Sequence, residues 1–478
     1  MNSSPNKTGL AKNILWATGA EMVSRLLLFV VILQLANYLL DTRYGELSYA
    51  FAVANICVMI ADFGLSTYVV QQLAYNTNRT KELLSELLGV KLWLTYLSLL
   101  SMLIICVLVR NLNFTIVILG GGAIILNNTR MFLEAFFRAH QRLKLEAITK
   151  TVSALLLAVT LSVLVQQRSS VATIAAGYFF AALIGIVFTL ILLRSYIASF
   201  KIRAPISVLK KYIRLTWPFA ASLGCNYLMN YFDSALLGFF GKTTELGWYT
   251  AAYKPVFFLT ALAGMLVNAF FPVITHQFHH AKANVQATVT KLLRLNSIIA
   301  LPLAVGGSIL APTIMHLFYP NYPLAPLTLA FQILLWGTAL IYIWTAFGNS
   351  LQACARQKDY LHGFLYATII NIVLNFIAIP VWSLYGAATA TTIAQLFLLI
   401  YFYHKFNKHI VTIKLFKQLW KPAIAAGVMG LSLWFLPKSL WLIPADALIY
   451  VLVLFSLKSI NKTELLQILK LWRKQPNV

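Results

Sequence analysis

Charge is scarce in this chain. Only 11% of its 478 residues are Asp, Glu, Lys or Arg, against roughly 25% in soluble domains. Acid is scarcer still, with 13 Asp and Glu against 38 Lys and Arg and a formal net charge of +25. A wetted surface cannot be built from so few charges, which excludes a soluble enzyme or binding module. The positive excess does not indicate nucleic acid, which needs a basic patch on a water-exposed face. Here the basic residues stand between long apolar runs. Cysteine is rare as well: Cys57, Cys106, Cys225 and Cys354 lie in or beside apolar runs with no C-x-x-C spacing. That excludes a disulfide framework or a zinc module and leaves them as small hydrophobes. His276, His279 and His280 fall in a loop and are not read as a metal site. No cofactor is expected.

What the chain has is apolar length: 60% of it is hydrophobic. A spanning helix needs about 20 mostly apolar residues. Fourteen stretches qualify, at 14–37, 46–70, 88–109, 114–137, 146–166, 171–193, 215–240, 247–271, 293–317, 325–350, 361–380, 384–403, 420–436 and 440–457. The first is too long for a cleavable signal and no small-residue cleavage site follows it, so it is expected to stay. Lys and Arg concentrate in cytoplasmic loops. With the N-terminus inside, only Arg43, Arg110, Arg168, Lys242 and Lys438 fall in outside loops, and Arg25, Arg130 and Lys254 within spans. The rest, counted with residues at inner span ends such as Lys91, belong to the cytoplasmic side. The expectation is an all-α, multi-pass protein of the cytoplasmic (inner) membrane with both termini in the cytoplasm.

A motif repeats across it. Tyr44-Gly45-Glu46-Leu47-Ser48-Tyr49-Ala50 opens the second span and Leu246-Gly247-Trp248-Tyr249-Thr250-Ala251-Ala252 opens the eighth. Leu133-Glu134-Ala135-Phe136-Phe137-Arg138 closes the fourth and Leu351-Gln352-Ala353-Cys354-Ala355-Arg356 the tenth. A six-span offset keeps both copies in one orientation, the parallel repeat of transporters whose halves rock about a central site. The expected organisation is an N-terminal lobe at 1–193, a basic linker at 194–214, a second six-span lobe at 215–404, two further spans at 405–457 and a cytoplasmic tail at 458–478. The tail is read as an amphipathic helix or a plain solubilising segment.

Ionisable residues inside spans cost roughly 2.5–3.5 kcal/mol each on insertion scales, so those present need a reason. Glu21 and Arg25 share one face of the first span, Asp62 sits in the second, and Asn127, Arg130 and Glu134 share a face of the fourth. Asn226, Asn230 and Asp233 line the seventh, and Lys254 enters the eighth from the outside, in register to pair with Asp233. Asn371 and Asn375 are expected to bond between helices. Gly120-Gly121-Gly122 marks close packing or a hinge. The charges read either as structural ion pairs or as the lining of a hydrated cavity. In a cavity, Arg25 and Arg130, with Asn127 and Lys254, suit a phosphate, because a guanidinium stays charged and binds it bidentately. Glu21, Asp62, Glu134 and Asp233 are then candidates for pairing or for coupling to H⁺ or Na⁺.

Tyr44-Gly45-Glu46-Leu47-Ser48, with Ala61-Asp62-Phe63-Gly64-Leu65 and Arg138-Ala139-His140-Gln141-Arg142, resembles the polysaccharide transporter family. Those are the Wzx-type oligosaccharide (O-antigen) flippases of the MATE-like flippase superfamily. The resemblance implies two six-helix bundles about a central cavity. It also implies a substrate, an undecaprenyl-pyrophosphate-linked oligosaccharide moved from the cytoplasmic to the periplasmic leaflet, and points to polysaccharide assembly proteins as partners besides membrane lipids. Where members often carry an Arg after the Gly-Leu of the second span, this chain has Gln71-Gln72, so no role passes to that position. Two alternatives stay open: a MATE-type drug or metabolite exporter, and, from another class, a membrane glycosyltransferase, O-antigen polymerase or ligase. The outside loops are too short to house the site such an enzyme needs.

Overall fold

The computed structural model describes residues 7–75, 80–109, 112–197, 205–281, 283–435 and 443–458. Among these residues there are helices and no strand. In order they are α1 (Lys7–Asp62), α2 (Leu65–Tyr75), α3 (Thr80–Leu108), α4 (Phe114–Ile116), α5 (Gly122–Ala139), α6 (Leu143–Gln166), α7 (Val171–Ile197), α8 (Ile206–Phe239), α9 (Thr243–His280), α10 (Ala283–Phe318), α11 (Leu324–Ala353), α12 (Gln357–His409), α13 (Leu415–Phe435) and α14 (Ile443–Ser456). A π-helical turn, Val117–Gly121, joins α4 to α5. The middle of the basic linker, Arg110, Lys438 and nearly all of the tail fall outside the described residues.

Among the described residues the apolar stretches fall on helix, except that 46–70 runs across the break between α1 and α2 at Phe63-Gly64. Two helices carry a pair of stretches each. The 56 residues of α1 would reach about 84 Å at 1.5 Å per residue, far beyond the ~30 Å of a hydrocarbon core. The helix breaks at Leu40, where φ is +61° and ψ −176°. Likewise the 53 residues of α12 break at Ser383 (φ +50°, ψ −127°). Nine helices among the described residues, these two included, are long and apolar enough to cross a membrane. Their outer faces carry bare apolar side chains, such as Val107 at 76% and Val381 at 72% exposed. Water would penalise such a surface at about 25 cal/mol per Å², whereas lipid accepts it. The chain is a multi-pass membrane protein.

The chain divides into two compact units, Met1–Thr250 and Ala251–Val478. In the first, α1 packs against α3, α5, α6 and α8. A buried cluster centred on Leu65, Val69, Leu84, Leu87, Phe132, Phe136 and Tyr212 joins α2, α3, α5 and α8. The division falls inside α9, later than the basic linker, because α8 lies along α1. Gly224 faces the Met59 sulfur, Gly238 faces the Tyr49 ring, and a Cβ on Gly64 would stand 2.5 Å from the Cβ of Phe219. In the second unit α10, α11 and α12 pack in sequence, α13 lies on α10, and α14 on α13. There Asn371 donates to Thr391 Oγ1 (3.4 Å) across the α12 break, and Asn375 to Asn371 Oδ1 (3.1 Å). The Asn371 bond joins two helical segments as expected, whereas the Asn375 bond runs one turn along its own helix.

The repeat motif has a direct physical meaning. Its two copies meet backbone to backbone: a Cβ on Gly45 would strike the Thr243 carbonyl, and one on Gly247 would strike the Asp41 carbonyl. Trp248 Nε1 donates to Asp41 Oδ2 (3.0 Å) and the hydroxyls of Thr42 and Thr244 lie 2.9 Å apart. Any side chain at either glycine would hold the strands of backbone apart. The Gly triplet also packs closely, with Gly120 against the Phe51 ring and Gly121 against the Met102 sulfur.

Candidate functional site

Ala61-Asp62-Phe63-Gly64 is where α1 ends and α2 begins. Phe63 (φ +41°) and Gly64 (φ +78°) both take the left-handed region, which stops the helical ladder and frees the Ala61 carbonyl. A lysine fills the gap. Lys91 of α3, only 1% exposed, donates from Nζ to Ala61 O at 2.8 Å and to Asn128 Oδ1 of α5. Its ammonium stands 5.8 Å from the centre of the Phe132 ring. Asp62 lies within electrostatic reach of it and accepts from Ser66 Oγ at 2.6 Å. Tyr227 of α8 stands near the same place, close to Asn128 and in the field of Asp62. Five helices, α1, α2, α3, α5 and α8, therefore converge on one cation and one carboxylate.

Lys91 corrects the sequence reading, which placed it with the cytoplasmic loop at an inner span end. The helix starts at Thr80, eleven residues earlier, so Lys91 stands about 16 Å along it. Asn128 and Tyr227 were missed too. The signal for Lys91 was its flanks, Leu87-Leu88-Gly89-Val90 before it and Leu92-Trp93-Leu94 after it. A lysine so embedded needs an internal partner. Asp62, which has no cation within a few turns of it on α1, lies within electrostatic reach of the one on α3.

The opposite face of α5 carries the second cluster. Arg130, 8% exposed, bonds Glu134 through NH1 and donates to Asn127 Oδ1 from Nε (3.1 Å) and NH2 (2.8 Å). Glu134 is fully buried. Its Oε1 also accepts from Thr149 Oγ1 of α6 at 2.7 Å, while Oε2 has no hydrogen-bond partner among the described residues. The Glu146 carbonyl, 2.9 Å from the same Thr149 hydroxyl, competes with Glu134 for its single proton. Glu146 Oε1 in turn takes Lys150 Nζ at 3.0 Å and Arg138 Nε at 3.2 Å. A polar chain thus runs from the α5–α6 junction to Arg130. Beside that junction burial holds the His140 imidazole below the ordinary histidine range, with Arg142 adding to the effect, and Thr80 Oγ1 lies 3.0 Å from its Nε2.

The remaining predicted residues are dispersed. Arg25 is half-buried on α1, and the side chain of its expected partner Glu21 lies outside the described residues. Asp233 is buried and accepts from the Tyr249 hydroxyl and from Ser234 N (2.6 Å), so tyrosine is its bonded partner in the first unit. Asn230 Nδ2 donates to the Asn226 carbonyl at 2.7 Å. Lys254 is half-buried on α9, in the second unit. At the end of α3 that the charge pattern assigns to the cytoplasm, Glu86 Oε2 accepts from Tyr212 (2.6 Å) and Lys211 (3.2 Å) of α8.

Comparison with known proteins agrees with this architecture. Over 207 residues the chain is 24% identical to "Probable flippase AglR" of Haloferax volcanii, covering 43% of each chain. Over 177 residues it is 22% identical to "Probable low-salt glycan biosynthesis flippase Agl15" of the same organism, covering 36% of this chain and 37% of that one. The matches span less than half the length of these relatives. Among solved structures, "Lipid II flippase MurJ, inward closed conformation" superposes with a TM-score of 0.69 at 14% identity, over 95% of this chain and 100% of that one. An inward-facing multidrug resistance MATE family transporter of the MOP superfamily gives 0.60 at 13% identity, over 80% and 94%. At such identities the likeness is one of fold. Residues 10–278 match the model of a family described as "Polysaccharide biosynthesis protein". That stretch is more than half of the sequence, and the chain belongs to this family.

Proposed function

We propose that the protein is a flippase of glycan biosynthesis, carrying a lipid-linked oligosaccharide from the cytoplasmic to the outer leaflet by alternating access. The observation that carries this reading is the gathering of Asp62, Lys91, Asn128, Arg130 and Glu134 inside spanning helices of one unit. Apolar packing would hold such a bundle together at lower cost, so intramembrane charge reads first as function. Family membership, and a fold shared with a lipid II flippase along nearly the whole chain, support the same reading.

In this account the chain crosses the inner membrane fourteen times with both termini in the cytoplasm. The six-span lobes at 1–193 and 215–404 rock about a cavity, and the spans at 405–457 flank them. The substrate is an undecaprenyl-pyrophosphate-linked glycan, handed over by polysaccharide assembly proteins. Arg25, Asn127, Arg130 and Lys254 hold its pyrophosphate. Arg130 is aimed by Glu134 and Asn127, which fix its guanidinium plane. Moving a net charge near −2 outward across an inside-negative membrane is favourable by about 4.6 kcal/mol per 100 mV. Glu21, Asp62, Glu134 and Asp233 supply pairing or the return of H⁺ or Na⁺. Glu134, whose buried Oε2 lacks a partner among the described residues, best suits H⁺. No bond in the substrate is made or broken.

The test is restoration of lipid-linked glycan on the outer face of cells lacking the gene, with protein level controlled. Wild type restores it, and Arg25→Ala and Arg130→Ala do not. A protein that inserts normally, restores no glycan and instead confers resistance to cationic drugs is a MATE-type exporter.

A further inference from the structure

The second unit carries a feature that flipping does not use. Where α10 meets α13 and the turn beyond α14, a pocket of about 200 Å³ is lined by Arg294, Lys417, Gln418, Trp420, Lys421 and Lys458. Four of these six are cations and none is an acid. Cations gathered along one concavity raise its positive potential and favour an anion there. The pocket lies at the end of α13 that the charge pattern assigns to the cytoplasm. α13 starts at Leu415, so Lys417 and Gln418 stand in its first turn, where free backbone N–H groups and the helix dipole add to the positive potential. Lys421 Nζ is held at the mouth, 5.6 Å from the centre of the Trp420 ring and donating to the Lys458 carbonyl at 3.4 Å.

A second observation identifies the kind of anion. From the pocket an apolar face runs the length of α13: Trp420 is 36% exposed, Ile424 47%, Val428 39%, Leu431 61% and Phe435 82%. Spacings of three and four keep these five on one side of the helix. Fifteen residues of helix extend about 22 Å, enough to line the acyl chains of one leaflet. The other side is fixed inward, where Ala425, Ala426, Met429 and Leu433 pack with Tyr450 and Leu454 of α14 and with Leu310 of α10. Tyr450 bonds the Ile298 carbonyl at 2.8 Å. A rigid wall with a cationic foot and an apolar face matches a ligand with an anionic head and hydrocarbon tails. Tryptophan at the junction marks the level of lipid headgroups.

We propose that this pocket binds the phosphate headgroup of an anionic phospholipid of the cytoplasmic leaflet, whose acyl chains lie along the Trp420–Phe435 face. Arg294, Lys417, Lys421 and Lys458 supply charge that tolerates variation in the rest of the headgroup. The site is separate from the buried clusters of the first unit, and its lipid is a resident of the membrane and not the cargo.

The full-length protein in uncharged detergent, titrated with phosphatidylglycerol or with phosphatidylcholine of the same acyl chains and read by native mass spectrometry, tests this. Wild type should prefer phosphatidylglycerol by at least about tenfold, and Arg294→Gln/Lys417→Gln/Lys421→Gln should abolish the preference. Phosphatidylcholine binding and the melting temperature should stay as in wild type. Should the triple variant not fold, Lys417→Gln alone, exposed in the first turn, should lower the preference about threefold. Ile424→Gln/Leu431→Gln should weaken phosphatidylglycerol with every cation in place. Inorganic phosphate in millimolar excess should not displace the lipid. Displacement by phosphate, or full binding by the Ile424/Leu431 variant, would show a soluble-anion site and overturn the assignment to lipid. Equal binding of the two lipids, or an unchanged preference in a folded variant, would overturn the site itself.

Discussion

Replacing Lys91 by methionine keeps the length and apolar stem of the side chain and deletes only its charge and its hydrogen bonds. Three groups then lose a partner. Asp62 loses the field of the nearby ammonium, a coupling that falls below the roughly 3–5 kcal/mol of a buried pair in contact. The Ala61 carbonyl, freed by the break at Phe63 and Gly64, and Asn128 Oδ1 lose the donor they share, at roughly 1–3 kcal/mol for a buried acceptor. Relaxation and lipid-side water reduce the total, so ~3 kcal/mol is the working expectation. Asp62→Asn alone removes that field while the ammonium keeps Ala61 O and Asn128 Oδ1, so it should cost less. Removing both charges together leaves a neutral site, so Lys91→Met/Asp62→Asn should recover about 2 kcal/mol relative to the sum of the single changes, as coupled neighbours do. The assay is a double-mutant cycle on unfolding in detergent, followed by tryptophan fluorescence. Additive losses, or a Lys91→Met protein as stable as wild type, would refute the pairing.

Topology is open to the same directness: cysteines at Lys144 and Lys414 should resist an impermeant thiol reagent added outside, and cysteines at Arg43 and Lys242 should label; reversal of either pair contradicts the charge-based orientation. Gly45→Val forces a side chain into the Thr243 carbonyl, so reagent access to a cysteine at Thr244 should rise severalfold over the Gly45 parent; unchanged access would mean that the two motif copies do not pack this way. Exchanging the charges of Arg130 and Glu134 should recover most of the stability that Arg130→Ala loses, roughly 3 kcal/mol, yet leave transport impaired, because the guanidinium moves about 6 Å along the helix. Full transport in the exchanged protein would confine Arg130 to a structural role.

Much of the fold was legible because lipid imposes a strong pattern: runs of about 20 apolar residues have few alternative readings. Even the helix breaks at Leu40 and Ser383 fell between stretches already read as separate. The repeat was legible as a motif, and its cause, two glycines bringing two backbone segments into contact, needed the structure. The site was harder. Arg130 and Glu134 were found because i,i+4 spacing displays a pair within one helix. Asp62 and Lys91 lie twenty-nine positions apart on different helices, and no local rule joins them. Lys91 was also hidden by its position near a span end, where a lysine ordinarily snorkels to the interface. The attachment of α8 to the first unit was invisible for a similar reason. It depends on which glycines meet Met59, Tyr49 and Phe219, and a single sequence records no such matches.

The central claim is movement of a lipid-linked glycan between leaflets, and reconstitution tests it most directly. Purified protein is placed in vesicles with a fluorescent undecaprenyl-pyrophosphate oligosaccharide confined to one leaflet, and transfer is followed by a membrane-impermeant quencher under an imposed potential. The account predicts transfer well above protein-free vesicles, faster when the potential favours the outward movement of negative charge, and close to background with Arg25→Ala/Arg130→Ala. Transfer no faster than in protein-free vesicles, from protein shown to be folded and inserted, would contradict it.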